Sequence, residues 1–189
     1  MNVDVITLGG FTLGFQVQLV AIEGKSIADI HSALGVTLTG THEEIPESPV
    51  VGTQLKNGNY VVYLNDEITP DPTLLGELSR GTNVLSCYVN ETVMNSSTSR
   101  WRDGNEDWSV LHDSQVGIDD LQIIGLPPSE LNSIRQRLVD EQNKCDDADY
   151  IFDIPIELFV ALGGMRYDED PDSTVGTNEP WAVLQRMQG

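Results

Sequence analysis

The sequence predicts an α+β fold, in which antiparallel sheet built from hairpins and a meander packs with about four short helices. Two turn dipeptides, Asn57-Gly58 and Asp103-Gly104, each lie between runs rich in β-branched and aromatic residues. Asn, Asp and Gly all tolerate positive φ, so both mark tight hairpins. Helical patterns recur at four places, two of them opened by the capping residues Ser26 and Asp71, and separate groups of strands. Strict alternation, the mark of a parallel sheet, is missing.

The elements follow in order. Val3 to Leu8 and Phe11 to Ile22 are β-rich and divided by Gly9-Gly10, which reads as a hairpin. Ser26 and Asp29 have the form of a capping box. Ile27, Ile30 and Leu34 follow at helical spacing and Gly35 supplies the stop, so a short helix is expected over 26–34. Residues 36–49, with His42, Glu43, Glu44, Pro46 and Glu47, read as an exposed loop. Val50 to Leu55 and Tyr60 to Leu64 form the hairpin around Asn57-Gly58. Asp71-Pro72 opens a helix with Leu74, Leu75 and Leu78 inward and Gly81 at its end.

The second half opens on a long buried strand, Asn83 to Met94, and a polar turn, Ser96 to Ser99. Trp101 and Trp108 bracket the Asp103-Gly104 turn, and Trp108 to His112 with Leu121 to Ile124 complete a meander. Pro127-Pro128-Ser129 starts a helix with Leu131, Ile134 and Leu138 inward. A short strand over Tyr150 to Ile154 leads into an apolar helix, Ile156 to Leu162, which stops at Gly163-Gly164. Residues 165–180 are acidic and rich in turn formers, and Trp181 to Met187 reads as a last turn of helix. A chain of 189 residues is read as one α+β domain, 1–189, divisible into sub-units 1–81 and 82–189 that share a core.

Composition narrows the classes of function. Thirty acids face ten bases, a net charge of −20. Such a field repels nucleic acid and anionic membranes and speeds association with basic proteins. No apolar run reaches the roughly 18 residues needed to span a bilayer. Met1 to Glu23 has no Lys or Arg, so no signal-peptide n-region stands there, and cytoplasmic residence is expected. Cys87 sits in an apolar run and reads as a small buried hydrophobe, while Cys145 lies beside Asp146 and Asp147, whose carboxylates disfavour a thiolate.

Each chemical motif fails on spacing. Gly9 to Gly14 lacks the Gly-x-Gly-x-x-Gly order and a Walker lysine, no serine stands in a Gly-x-Ser-x-Gly elbow, and His42-Glu43-Glu44 has no second histidine four residues on. No cofactor and no metal is therefore expected. The most enzyme-like set is Glu91, His112 and Asp113, but neighbours on a strand point to opposite faces, so His112 and Asp113 cannot pair directly.

What remains is a binding role. Acids concentrate at Asp146, Asp147, Asp149 and Asp153 and again at Asp168, Glu169, Asp170 and Asp172, with Tyr167 and Trp181 as aromatic anchors. The expected function is a non-enzymatic acidic binding protein that neutralises a basic partner, such as a bacterial immunity protein facing a basic toxin. The competing expectations are an enzyme built on Glu91, His112 and Asp113, and a structural or accessory subunit of a phage or secretion assembly.

Overall fold

The computed structural model describes residues 14–65, 71–144 and 148–187. Its order is β1 (Gln16–Ile22), α1 (Ile27–Leu34), β2 (Val36–Glu43), β3 (Val50–Gln54), β4 (Tyr60–Asn65), α2 (Pro72–Leu78), β5 (Asn83–Asn90), β6 (Asn95–Arg102), β7 (Asn105–Asp113), β8 (Gln122–Gly125), α3 (Glu130–Gln142), α4 (Asp153–Ala161) and β9 (Trp181–Arg186). Among the described residues the strands form one nine-stranded sheet in the order β2-β9-β3-β4-β1-β5-β6-β7-β8, and every pairing is antiparallel. The fold is α+β, as the turn and cap signals predict.

Helices cover both faces. Alternation along each strand sends Val17, Leu19 and Ala21 of β1 to one side and Val20 and Ile22 to the other. The first side is closed by α3 and α4 with Leu131, Leu138, Ile154, Leu158 and Phe159, the second by α1 and α2 with Ile30, Leu75 and Leu78. Both faces of the central strands are therefore buried, which explains their weak polar alternation.

The capping signals hold. Ser26 Oγ accepts the Asp29 N–H at 3.1 Å, and Gly35 ends α1 at φ +64°. Asp71 Oδ1 accepts the Thr73 N–H at 2.8 Å ahead of Pro72. The Asn57-Gly58 turn joins β3 to β4, with Gly58 at φ +95°. Both Asn57 and Asn59 donate side-chain N–H groups to the Gly163 carbonyl, which ties this hairpin to the end of α4.

Five expectations need correction. Residues 36–43 are edge strand β2 and not a loop, because Val36, Thr37 and Thr39 carry β-forming side chains and β9 supplies the partner. Residues 96–99 are the middle of β6 and not a turn. Ser96 and Thr98 turn their hydroxyls toward α4, where Ser96 Oγ donates to the Phe152 carbonyl and Thr98 Oγ1 to the Pro155 carbonyl, each at 2.6 Å. The preceding strand ends at Asn90, whose Oδ1 accepts the Thr92 N–H and turns the chain. Residues 150–154 are a turn and the start of α4 instead of a strand. Trp181 to Arg186 is strand β9, inserted between β2 and β3. The expected first strand, Val3 to Leu8, lies outside the described residues, and β1 pairs with β4 and β5.

Under α1, His31 Nε2 meets the Tyr60 hydroxyl at 2.8 Å, and the Tyr60 ring crosses Gly52 where a Cβ would collide with it. Burial lowers the His31 pKa below its ordinary 6.5. The unfolded chain then binds a proton that the folded chain refuses. His31 thus costs stability as pH falls below about 6.5, and nothing above it. Urea melts of His31→Asn against the parent should show a shallower loss between pH 6.5 and 5.5; parallel curves would show that His31 protonates freely in the fold.

Candidate binding surface

The structure spreads the sequence-predicted acids over three environments. Asp149 belongs to the interior. Its Oδ1 accepts the Phe152 N–H at 3.1 Å, and its Oδ2 faces His112 Nε2 at 2.9 Å. The His112 ring is 0% exposed and Asp149 only 10%, and the other ring nitrogen, Nδ1, lies 2.7 Å from the Asp120 carbonyl oxygen. Both nitrogens therefore face acceptors. Satisfying both bonds takes a proton on each ring nitrogen, or one on the Asp149 carboxyl. This pair clamps the end of β7, the 113–121 loop and the start of α4 together.

Asp153 and Asp168 converge on Arg166. The guanidinium Nη2 sits 3.2 Å from Asp153 Oδ1, and Nε sits 2.9 Å from Asp168 Oδ1 and 3.9 Å from Glu169 Oε1. Burial opposes the Arg166 charge, but the hydrogen bond and field of Asp168, then those of Asp153, outweigh it and raise its pKa. For Asp153 burial is the larger effect, so its pKa rises despite the arginine. Arg166 is the one base between Lys144 and Arg186, set among acids, and that isolation is a signal the sequence reading overlooked.

Tyr167 and Trp181 are not surface anchors. The Tyr167 hydroxyl donates to Glu91 Oε1 at 2.6 Å, and Glu91 Oε2 accepts the Phe15 N–H at 2.9 Å. Burial first, and then the bond to Glu91, raises the Tyr167 pKa and keeps the phenol neutral. Trp181 is buried edge-on against Tyr63, with ring centroids 5.5 Å apart. Both were expected at the surface because they lie beside acids in sequence. Strand β9 and the Glu91 bond draw them inward.

The proposed catalytic residues are not brought together. Glu91 is committed to Tyr167 and Phe15, Asp113 Oδ1 accepts the Gln115 N–H, and His112 turns to Asp149. The opposite orientation of His112 and Asp113 follows from strand geometry, as expected. Cys87 is a buried free thiol whose pKa burial pushes up to about 12. Among the described residues no cluster of His, Cys, Asp and Glu could hold a metal ion, and no helix is long and apolar enough to cross a membrane. Cys145, Asp146 and Asp147 lie outside the described residues.

The acids that do face solvent flank two concavities. Asp170 and Asp172 line a polar one of about 300 Å³ with Glu44, where Lys56 Nζ meets Asp172 Oδ1 at 2.6 Å. That pair is well exposed and contributes little, about 0–1 kcal/mol. A groove of about 410 Å³ runs between α3 and α4. Its floor is Ile134, Val160 and Ala161, and its rim is Glu157, Arg166 and Glu169. Glu169 is 66% exposed, and its long contact to Arg166 leaves most of its charge turned outward. Glu157 is bound by Arg137 from α3. The apolar floor is thus bordered by one largely outward-facing acid, Glu169, and by the ion-paired Glu157 and Arg166.

No protein-family model matches this chain, and neither the curated proteins nor the solved structures contain a significant match to it.

Proposed function

We propose that this protein is a non-enzymatic acidic binding protein whose partner is a basic protein, with the α3–α4 groove and the 168–172 segment as its contact surface. The supporting observation is the groove itself. Val160 leaves its apolar side chain 37% exposed on a floor that Glu157 and Glu169 border, and Asp170 and Asp172, which follow Glu169 in the chain, line a second, polar concavity. An apolar pocket excludes water around an anchor, and the acids steer a cationic surface toward it. The concrete form of this reading is an inhibitor of the bacterial immunity type, resident in the cytoplasm and neutralising a basic toxin. A net charge of −20 favours encounter with such a partner over nucleic acid or membrane.

The test pairs affinity capture with a groove variant. Val160→Lys/Glu169→Lys changes only exposed side chains, so folding is retained. A basic protein captured by the parent should be lost from this variant. It should also be lost between about 0.1 M and about 1 M salt, as the screening length falls from about 10 Å to about 3 Å. Capture indifferent to both would refute the reading.

A further inference from the structure

The two edges of the sheet are built differently. Edge strand β2 is rich in threonine and breaks at Gly40, where its register on β9 shifts between Leu38 and His42. Such irregularity blunts an edge against further pairing. Edge strand β8 keeps an unbroken register on β7 and is blunted only by its four-residue length and by the Pro127-Pro128 that follows it. It pairs with β7 on one side, over Gln122 to Gly125, and nothing among the described residues covers its other side.

All four β8 residues are exposed, Ile124 to 65%, and Leu126 beyond them reaches 89%. Val116 and Ile118 add apolar surface from the preceding loop. Of the eleven exposed large hydrophobics described, five fall between 116 and 126, a concentration that solvation alone does not account for. From Leu121 to Leu126 the chain carries no charge and no proline.

The flanks say what fits. From Asp103 to Ile134 there are seven acids and no Lys or Arg, with Asp119 and Asp120 before the strand and Glu130 after it. A second copy pairing antiparallel on β8 would bring Asp119 and Asp120 of each chain toward Glu130 of the other. Like charges would meet at both ends, and two chains of −20 repel at longer range. A strand with basic flanks meets the reverse situation.

We propose that the open edge of β8 accepts an extended segment of a partner protein, an alternating apolar strand flanked by Lys or Arg, by addition to the sheet. Main-chain hydrogen bonds to β8 supply the binding, Ile123 and Ile124 grip alternate side chains on the two faces, and the acids select the flanks. This surface is separate from the α3–α4 groove and does not depend on it.

The probes are three synthetic twelve-residue peptides: an alternating Val/Thr core with Lys flanks, the same core with Glu flanks, and the Lys-flanked peptide with a central Pro. Fluorescence anisotropy on the full chain should show the first bound about tenfold or more tighter than either other. Ile124→Lys should abolish that binding, Val160→Lys/Glu169→Lys should leave it intact, and amides 122–125 should gain protection from hydrogen exchange. Equal binding of the Pro peptide, or loss through the groove variant alone, would overturn the proposal. So would a concentration-dependent dimer in sedimentation that Ile124→Lys abolishes.

Discussion

Replacing Trp181 with alanine should cost about 3–5 kcal/mol and lower the melting temperature by roughly 10 °C. Trp181 is one of the largest fully buried side chains and packs edge-on against Tyr63. Among the described residues its strand is also the one link between β2 and the remaining sheet, since β2 pairs there with β9 alone. A cavity there removes transfer energy and contacts together, and the loss falls on both neighbouring strands. Trp181→Phe should recover part of the deficit, whereas Gln185→Ala, at the exposed end of β9, should shift melting by no more than about 1–2 °C. Differential scanning calorimetry decides. A Trp181→Ala shift under about 3 °C would mean that β9 docks loosely.

The second large effect belongs to His112. Removing the imidazole in His112→Ala leaves the Asp149 carboxylate and the Asp120 carbonyl without their partner in a site with little water. Breaking a buried pair from one side costs about 3–5 kcal/mol, because the surviving charge is stranded. Asp149→Ala should cost a similar amount, since it also frees the Phe152 N–H ahead of α4. The double variant should then cost less than the two singles summed, by about 0.5–3 kcal/mol. Denaturant titration of all four proteins gives the cycle, and strict additivity would show that the two side chains do not act as a unit.

Local chemistry carried most of the sequence reading. Asn57-Gly58, Asp103-Gly104, Ser26 and Asp71-Pro72 each impose a turn or cap through their own backbone preferences, and each holds in the structure. The errors arose where a distant partner decides the outcome. Val36 to Glu43 forms a strand because β9 arrives beside it, and the six residues of β9 are too few for periodicity to separate strand from helix. Ser96 and Thr98 look like turn residues until α4 presents carbonyls to their hydroxyls. Acid density in the sequence picks out Asp168 to Asp172, whose acids face solvent in the fold, but the pairing of Asp153 with Arg166 and of Asp149 with His112 needed the third dimension. The groove floor of Ile134, Val160 and Ala161 comes from two helices, and no single stretch of chain displays it.

The insertion of β9 also sets a clock. About 140 residues of chain separate β2 from the strand that pairs with it. At about 5–20 residues per second, a ribosome takes on the order of ten seconds to deliver that partner. Through that interval the β2 backbone has no cross-strand bonds, and β3 presents a bare edge where β9 will lie. Closing so long a loop is slow even for a released chain. The nascent protein therefore passes through a stage with sticky edges, and its yield in a cell depends on what shields them before residue 186 emerges.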